Sequence, residues 1–351
     1  MTNVDISLAS GLGKRADIQY LRAFSVSIVI IFHSRATILP NGYLGVDLFF
    51  LISGFVLTPQ LLKIFYSTKN QVRNESLNFL KKRFNRLMPA FLIATLFNLL
   101  ILFIFGAYDK FERTGLQAFY SLIFIGNFSA AELSGNYFSP IPNPFLHYWS
   151  LSAEWQVYLF IPILYSLIVM LQHKSRKLTI LNSLTLIFVF FLLLSIFGYE
   201  NNELFGYFSP ITRIWQFAAG SLIFITLSKS DINKYITYVA RIVLVFGTLM
   251  ILLPIPLERL NTYLVSTVVF ISLVTSKLQF RNLLGNSLMR IGDISYSLYL
   301  YHLPFIYLAL YSPTSGADQI FRSVGVIFSI VFTFIAANFS YKYIESNNLS
   351  L

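Results

Sequence analysis

The stretch LTILNSLTLIFVFFLLLSIFG, residues 178–198, contains no charged residue and no proline. As a helix rising 1.5 Å per residue it is about 30 Å long, which is the thickness of the hydrocarbon core of a bilayer. In water it would expose apolar surface on every side. In lipid its only obligation is to satisfy its own backbone, and a helix does that internally. Comparable apolar runs of roughly 17–22 residues recur along the chain, near 20–39, 44–65, 88–107, 148–171, 178–198, 211–228, 236–253, 260–276, 294–311 and 323–342. The expected fold is therefore all-α, a polytopic transmembrane helical bundle of about ten spans. Composition agrees: 56% of the 351 residues are hydrophobic and 12% are charged, against about 25% charged in soluble domains.

An eleventh apolar piece, 115–128, is short. Counted as a full span it would place His173, Lys174, Arg176 and Lys177 outside and invert every later loop. The excess of Lys and Arg on cytoplasmic loops argues instead for a re-entrant or interfacial segment. With both termini cytoplasmic, the inner loops collect Lys14, Arg15, the basic cluster from Lys63 to Arg86, the 174–177 group and Lys342, while the outer side keeps few cations, accompanied by Asp109, Glu112, Glu200 and Glu203. The same bias explains the net charge of +11 without invoking nucleic acid. Nothing in the sequence specifies an oligomer.

Residues 1–14 read as a flexible cytoplasmic tail and 345–351 as a second one, leaving 15–344 as the membrane domain. The first apolar run carries Arg22 and His33 and lacks a small-residue cleavage pattern, so it is expected to stay in the mature protein. With no cysteine in the chain, disulfides, zinc-thiolate sites and a cysteine acyl-enzyme are excluded. The segment SAAELSGNYFSPIPNPFLHY, residues 129–148, is too polar and proline-rich to span and belongs on the outer face, as a lid or an ordinary connection.

Ionisable groups inside spans are expensive and mark pathways or reaction sites. Arg22 and His33 lie eleven positions apart, which returns to within about 20° of the same helix face and separates them by about 16 Å along the axis. That placement sets Arg22 at the cytoplasmic boundary and His33 near the bilayer midplane. Either alone reads as well as a snorkelling arginine or a satisfied core histidine. GYLGVDLFFLISGF, residues 42–55, carries Asp47 and Ser53 among three glycines; the glycines fit close helix packing, and Asp47 fits orienting a histidine or pairing an arginine near the outer side. HYWSLSAEWQVYLF, from His147, places Glu154 about 10 Å below the outer surface. A neutral histidine and a carboxylate in a dry site form a general-base pair able to deprotonate a hydroxyl. In LKKRFNRLMPAF, Arg83 and Arg86 share a helical face before the third span, suited to topology, lipid headgroups or a cofactor phosphate. His302 precedes a proline that bends its helix and frees backbone groups, whereas His147 and His173 fall at or beyond span ends and look ordinary.

Read in order, YLRAFSVSIVIIFH, GYLGVDLFFLISGF, LKKRFNRLMPAF, WSLSAEWQVYLF, SPITRIWQFAAG and ISYSLYLYHLPF resemble the acyltransferase-3 family of bacterial membrane acyltransferases from about Lys14 to Ile344. The resemblance implies transfer of an acetyl or similar short acyl group from cytosolic acetyl-CoA to a hydroxyl of a cell-envelope or exported saccharide, such as O-antigen or exopolysaccharide, in the bacterial inner membrane. It implies catalytic roles for His33, Glu154 and Asp47, donor-binding roles for Arg22, Arg83, Arg86 and Ser53, and supporting roles for His302, Arg213 and Trp149. No metal and no permanently bound cofactor are expected; acetyl-CoA is a substrate. Two departures stand out: Gln216 occupies a place where the family often has glutamate, and YIES, residues 343–346, lacks the usual arginine after its glutamate. The chain also ends without the hydrolase-like periplasmic domain of some members, which leads to the expectation of a stand-alone form. His33 could serve as the base for direct transfer or carry the acetyl group itself. The competing function is a transporter or flippase of a saccharide or lipid-linked substrate, whose usual internal pseudo-symmetry the sequence does not display.

Overall fold

The computed structural model describes residues 15–105, 111–133, 142–171, 176–198, 203–227, 233–276, 278–280, 282–311 and 319–346. Residues 1–14 and 347–351 of the expected tails, His173, and residues 134–141 of the proline-rich segment lie outside them. Regular structure among the described residues is entirely helical: α1 (Ala16–Ser34), α2 (Leu44–Tyr66), α3 (Val72–Ile104), α4 (Phe111–Leu122), α5 (Gly126–Leu133), α6 (Tyr148–Leu171), α7 (Arg176–Gly198), α8 (Glu203–Phe208), α9 (Ile214–Leu227), α10 (Lys234–Leu252), α11 (Arg259–Ser276), α12 (Leu283–Asp293), α13 (Ser295–Tyr311) and α14 (Gln319–Ser340). A 3₁₀ turn, Ile211–Arg213, leads into α9, and a π turn, Tyr341–Glu345, follows α14.

Each of the ten apolar stretches coincides with one of these helices. Six (α1, α2, α3, α7, α10 and α14) are long and apolar enough to cross a membrane, and Ile211–Leu227 and Leu260–Ser276 are shorter apolar helices. The boundaries differ from expectation in two places. Helix α1 ends at Ser34, whose hydroxyl donates to the Ile30 carbonyl, and a series of turns carries the chain through Pro40, Asn41 and Gly42. A helix with these bounds puts His33 in its last turn, at one end of the rod and not at its middle. At α3 the helix begins at Val72, so the part of the basic cluster from Arg73 to Arg86 and the apolar span form one continuous helix.

The eleventh piece is two short helices. Helix α4 is about 18 Å long at 1.5 Å per residue, too short to span. It ends on Phe124, whose φ of 64° is left-handed. Phe124 N–H donates to Ser121 O and Ile125 N–H to Tyr120 O, the paired bonds of a Schellman stop with phenylalanine in the place glycine usually takes. The roughly 1 kcal/mol or more that this backbone costs is offset by the Phe124 ring stacking on Trp155 at 4.6 Å and by Gln156 Nε2 donating to the Phe124 carbonyl at 2.6 Å. Gln117 then ties α4 to α5, donating to Gly126 O at 2.9 Å and accepting from Ser129.

The chain divides into two compact units, one of residues 1–81, 157–198 and 211–293, the other of residues 82–156, 199–210 and 294–351. In the first, small residues let backbones meet. A Cβ added to Gly45 would lie 2.3 Å from the Ser25 carbonyl oxygen, and one added to Gly42 would lie 2.4 Å from that of Ile28. Thus α1 and α2 touch main chain to main chain. The α2–α9 crossing is equally close: Cβ atoms on Gly54 and Gly220 would meet Phe217 O and Leu51 O, each at 2.2 Å. Buried Asn41 fixes the entry to α2, its amide donating to Ile255 O at 2.8 Å and its carbonyl accepting from Leu257 N–H at 3.0 Å. In the second unit, α13 packs on α14.

Candidate active site

The α2–α9 crossing places the most constrained polar cluster of the first unit. Asp47 and Gly54 are seven residues apart, about 20° from sharing a face, so the face of α2 that meets α9 at Gly54 presents Asp47 two turns earlier. On α9, Gln216 and Gly220 are one turn apart. Arg213 closes the 3₁₀ turn immediately before α9. The three polar side chains converge: Arg213 Nη1 donates to Asp47 Oδ1 at 2.7 Å, and Gln216 Nε2 donates to the same oxygen at 2.8 Å. Asp47 and Arg213 are each 4% exposed and Gln216 is fully buried. A cation at a helix N-terminus opposes the helix dipole, and the carboxylate of Asp47 offsets that cost while screening the guanidinium. Of the two uses expected for Asp47, the structure shows arginine pairing.

The remaining candidates of this unit are more open. Arg22 and His33 are both partly exposed on α1 and keep the expected eleven-residue spacing; the His33 ring lies 5.3 Å from that of Phe32, edge to face. Ser53 is partly exposed on α2, but six residues from Asp47 it points about 120° away, so these two do not share a face.

In the second unit Arg83 is buried and Arg86 partly exposed one turn on, both within α3. Glu154 is partly exposed in the second turn of α6, about 9 Å along the axis from Tyr148. Trp149 is fully buried against Tyr207 and Phe208. Pro304 has no N–H to offer the Leu300 carbonyl one turn back. Asn98 Nδ2 and the Tyr148 hydroxyl take its place, at 3.0 and 3.2 Å. His302 is fully buried, with Nδ1 2.8 Å from Tyr299 O, which fixes the tautomer with its proton on Nδ1. Its ring lies 4.8 Å from that of His147.

His147 itself is a correction. It does stand at a span end, immediately before α6, but it is not ordinary: it is fully buried, and its carbonyl accepts from the Tyr299 hydroxyl at 2.9 Å. Glu345 is another: it does not begin a free tail but is buried in the π turn and accepts from the Ser297 hydroxyl, which also gives the YIES glutamate a partner without an arginine. A groove of about 790 Å³ in this unit, between Phe97, Phe305, Phe332 and Tyr343, contains none of the candidate residues. Among the described residues no group of three or more His, Asp or Glu could hold a metal ion.

The model of a family described as "Acyltransferase domain" matches residues 15–340. O-acetyltransferase OatA of Staphylococcus aureus (strain NCTC 8325 / PS 47) is 30% identical over 93% of this chain and 56% of its own length. The "Putative membrane-bound transacylase BcsY" of Komagataeibacter xylinus is 28% identical over 85% of this chain and 74% of its own. The chain thus spans little more than half the length of the first of these relatives. No solved structure matches it.

Proposed function

We propose, from the premise that this chain belongs to the acyltransferase-3 family, that it moves an acetyl or similar short acyl group from cytosolic acetyl-CoA to a hydroxyl of a cell-envelope or exported saccharide. The observation that carries the reading is the family match over residues 15–340, which encloses every candidate residue from Arg22 to His302. The two relatives, an O-acetyltransferase and a transacylase by name, support the same reaction class. We place the protein in the bacterial inner membrane with ten spans and both termini cytoplasmic, supported by ten helical apolar stretches and by the basic groups between Lys63 and Arg86.

In the proposed reaction Arg83 and Arg86 hold the phosphates of the nucleotide end of acetyl-CoA. Arg22, eleven residues before His33 and about 16 Å from it along the axis of α1, and Ser53 are further donor-binding groups. His33 removes the proton from the acceptor hydroxyl as that oxygen attacks the thioester carbonyl. The C–S bond breaks, an ester C–O bond forms, and the proton leaves His33 on the CoA thiol. Glu154 serves as the second acid–base group, and Asp47, held by Arg213, supplies fixed negative charge in the unit that carries the imidazolium. Trp149 and His302 are supporting residues, packed in the interior of their unit.

The test is purified protein given labelled acetyl-CoA and cell-envelope glycans. CoA release with label entering glycan is the expected result. A protein that equilibrates the same glycans across vesicles without releasing CoA is a transporter, and the acyltransferase reading is then wrong.

A further inference from the structure

We propose that Gln216 is a positioning residue of the acyl-transfer site, acting through Asp47. This rests on the acyltransferase reading above.

Two donors converge on one carboxylate oxygen: Arg213 Nη1 and Gln216 Nε2 both reach Asp47 Oδ1, at 2.7 and 2.8 Å. An ionised carboxylate only accepts, so the amide of Gln216 must present its NH₂ group there and its orientation is fixed by chemistry. Held by two donors from successive turns of the chain, the carboxylate cannot rotate freely about Cβ–Cγ. Its second oxygen, Oδ2, receives no hydrogen bond among the described residues. The cluster therefore leaves one defined acceptor for a donor arriving from outside it, such as a substrate hydroxyl or an imidazole N–H. Residue type matters at 216. Glutamine supplies a neutral donor, so one guanidinium faces one carboxylate. A glutamate would set a second carboxylate within hydrogen-bond distance of the first with a single arginine between them, and like charges that close do not both stay ionised. The Gly54–Gly220 crossing holds the two helices at the spacing this contact requires.

The experiment compares Gln216→Met, which keeps the length and removes the donor, with Gln216→Asn, which keeps the amide but is one methylene short, and with the exchange Asp47→Asn/Gln216→Glu. Turnover with labelled acetyl-CoA and envelope glycan is expected to fall about 10- to 100-fold in both single variants, with KM for acetyl-CoA and the unfolding temperature near those of the wild type. Should the methionine variant fail to fold, the asparagine variant carries the comparison. The exchange keeps a carboxylate, an amide and a guanidinium together but moves the carboxylate to the other helix; it is expected to fold and remain slow. Wild-type turnover in Gln216→Met, in Gln216→Asn or in the exchange would overturn the inference, because the cluster would then only hold helices together. A wild-type protein that transfers no acetyl group overturns the acyltransferase reading itself, and this inference with it.

Discussion

His33→Ala is expected to lower acetyl transfer by about 10²- to 10⁴-fold, the range a positioned general base contributes, without lowering the unfolding temperature. Two features separate chemistry from folding at this position. His33 is partly exposed and lies in the last turn of α1, where truncation opens no sealed cavity. Other anchors of α1 stay in place in the variant: Tyr20 bonds both main-chain groups of Phe280, and the backbone of Gln19 meets Gly292 at a distance no Cβ would allow. His33→Gln retains hydrogen bonding but is not basic, so it is expected to be as slow as the alanine variant. Rates of label transfer beside thermal unfolding of the same preparations decide the matter; a glutamine variant with wild-type turnover would remove His33 from proton transfer. Rapid quenching of the wild type in mid-reaction into hydroxylamine separates the two routes: acetyl hydroxamate formed in proportion to enzyme, after free acetyl-CoA is removed, marks an acyl-enzyme, and its loss in His33→Gln assigns the carrier to His33.

Arg213→Met is expected to cost about 3–5 kcal/mol of stability, because removing one member of a buried ion pair strands the other. Asp47 would keep only the amide of Gln216 as a partner in a space that is 4% exposed. Replacing both members, as in Arg213→Met/Asp47→Leu, leaves no stranded charge and is expected to recover most of the loss, since well-packed apolar residues often equal or exceed a buried pair. The double variant should fold and yet remain inactive. Thermal unfolding of the single and double variants in detergent measures the coupling, and additive losses would show that the pair does little for the fold.

The apolar stretches were legible because spanning helices are set by length and hydropathy alone. Their ends were not. Ile38 and Leu39 extend the apolar run past Ser34, but the chain has already turned there, with Ser34 bonding back to Ile30 and Asn41 bound to residues more than two hundred positions away. The stop at Phe124 was hidden for a similar reason. No glycine stands at that position, and the stack on Trp155 that supports it is a tertiary contact. For the site, residue types were readable and partners were not. Asp47 could be suspected of pairing an arginine because a buried carboxylate needs one; that the arginine is Arg213, 166 residues on, follows only from the α2–α9 crossing. Gln216 was passed over because it departs from the family's glutamate. Its signal lay in ordinary helix geometry, one turn before Gly220 and one turn after Arg213. His147 looked like a loop residue because the segment before it is polar and proline-rich, whereas Tyr299 and His302 of α13 enclose it.

Sealed vesicles containing the purified protein, sorted so that its Lys- and Arg-rich face is accessible from one side only, put acyl transfer across the bilayer to the test. Labelled acetyl-CoA is supplied on that face and glycan acceptor on the other. Label entering the glycan, with CoA released on the donor side and both lost in His33→Ala, is the expected result. Label that appears only when donor and acceptor share one face would contradict it.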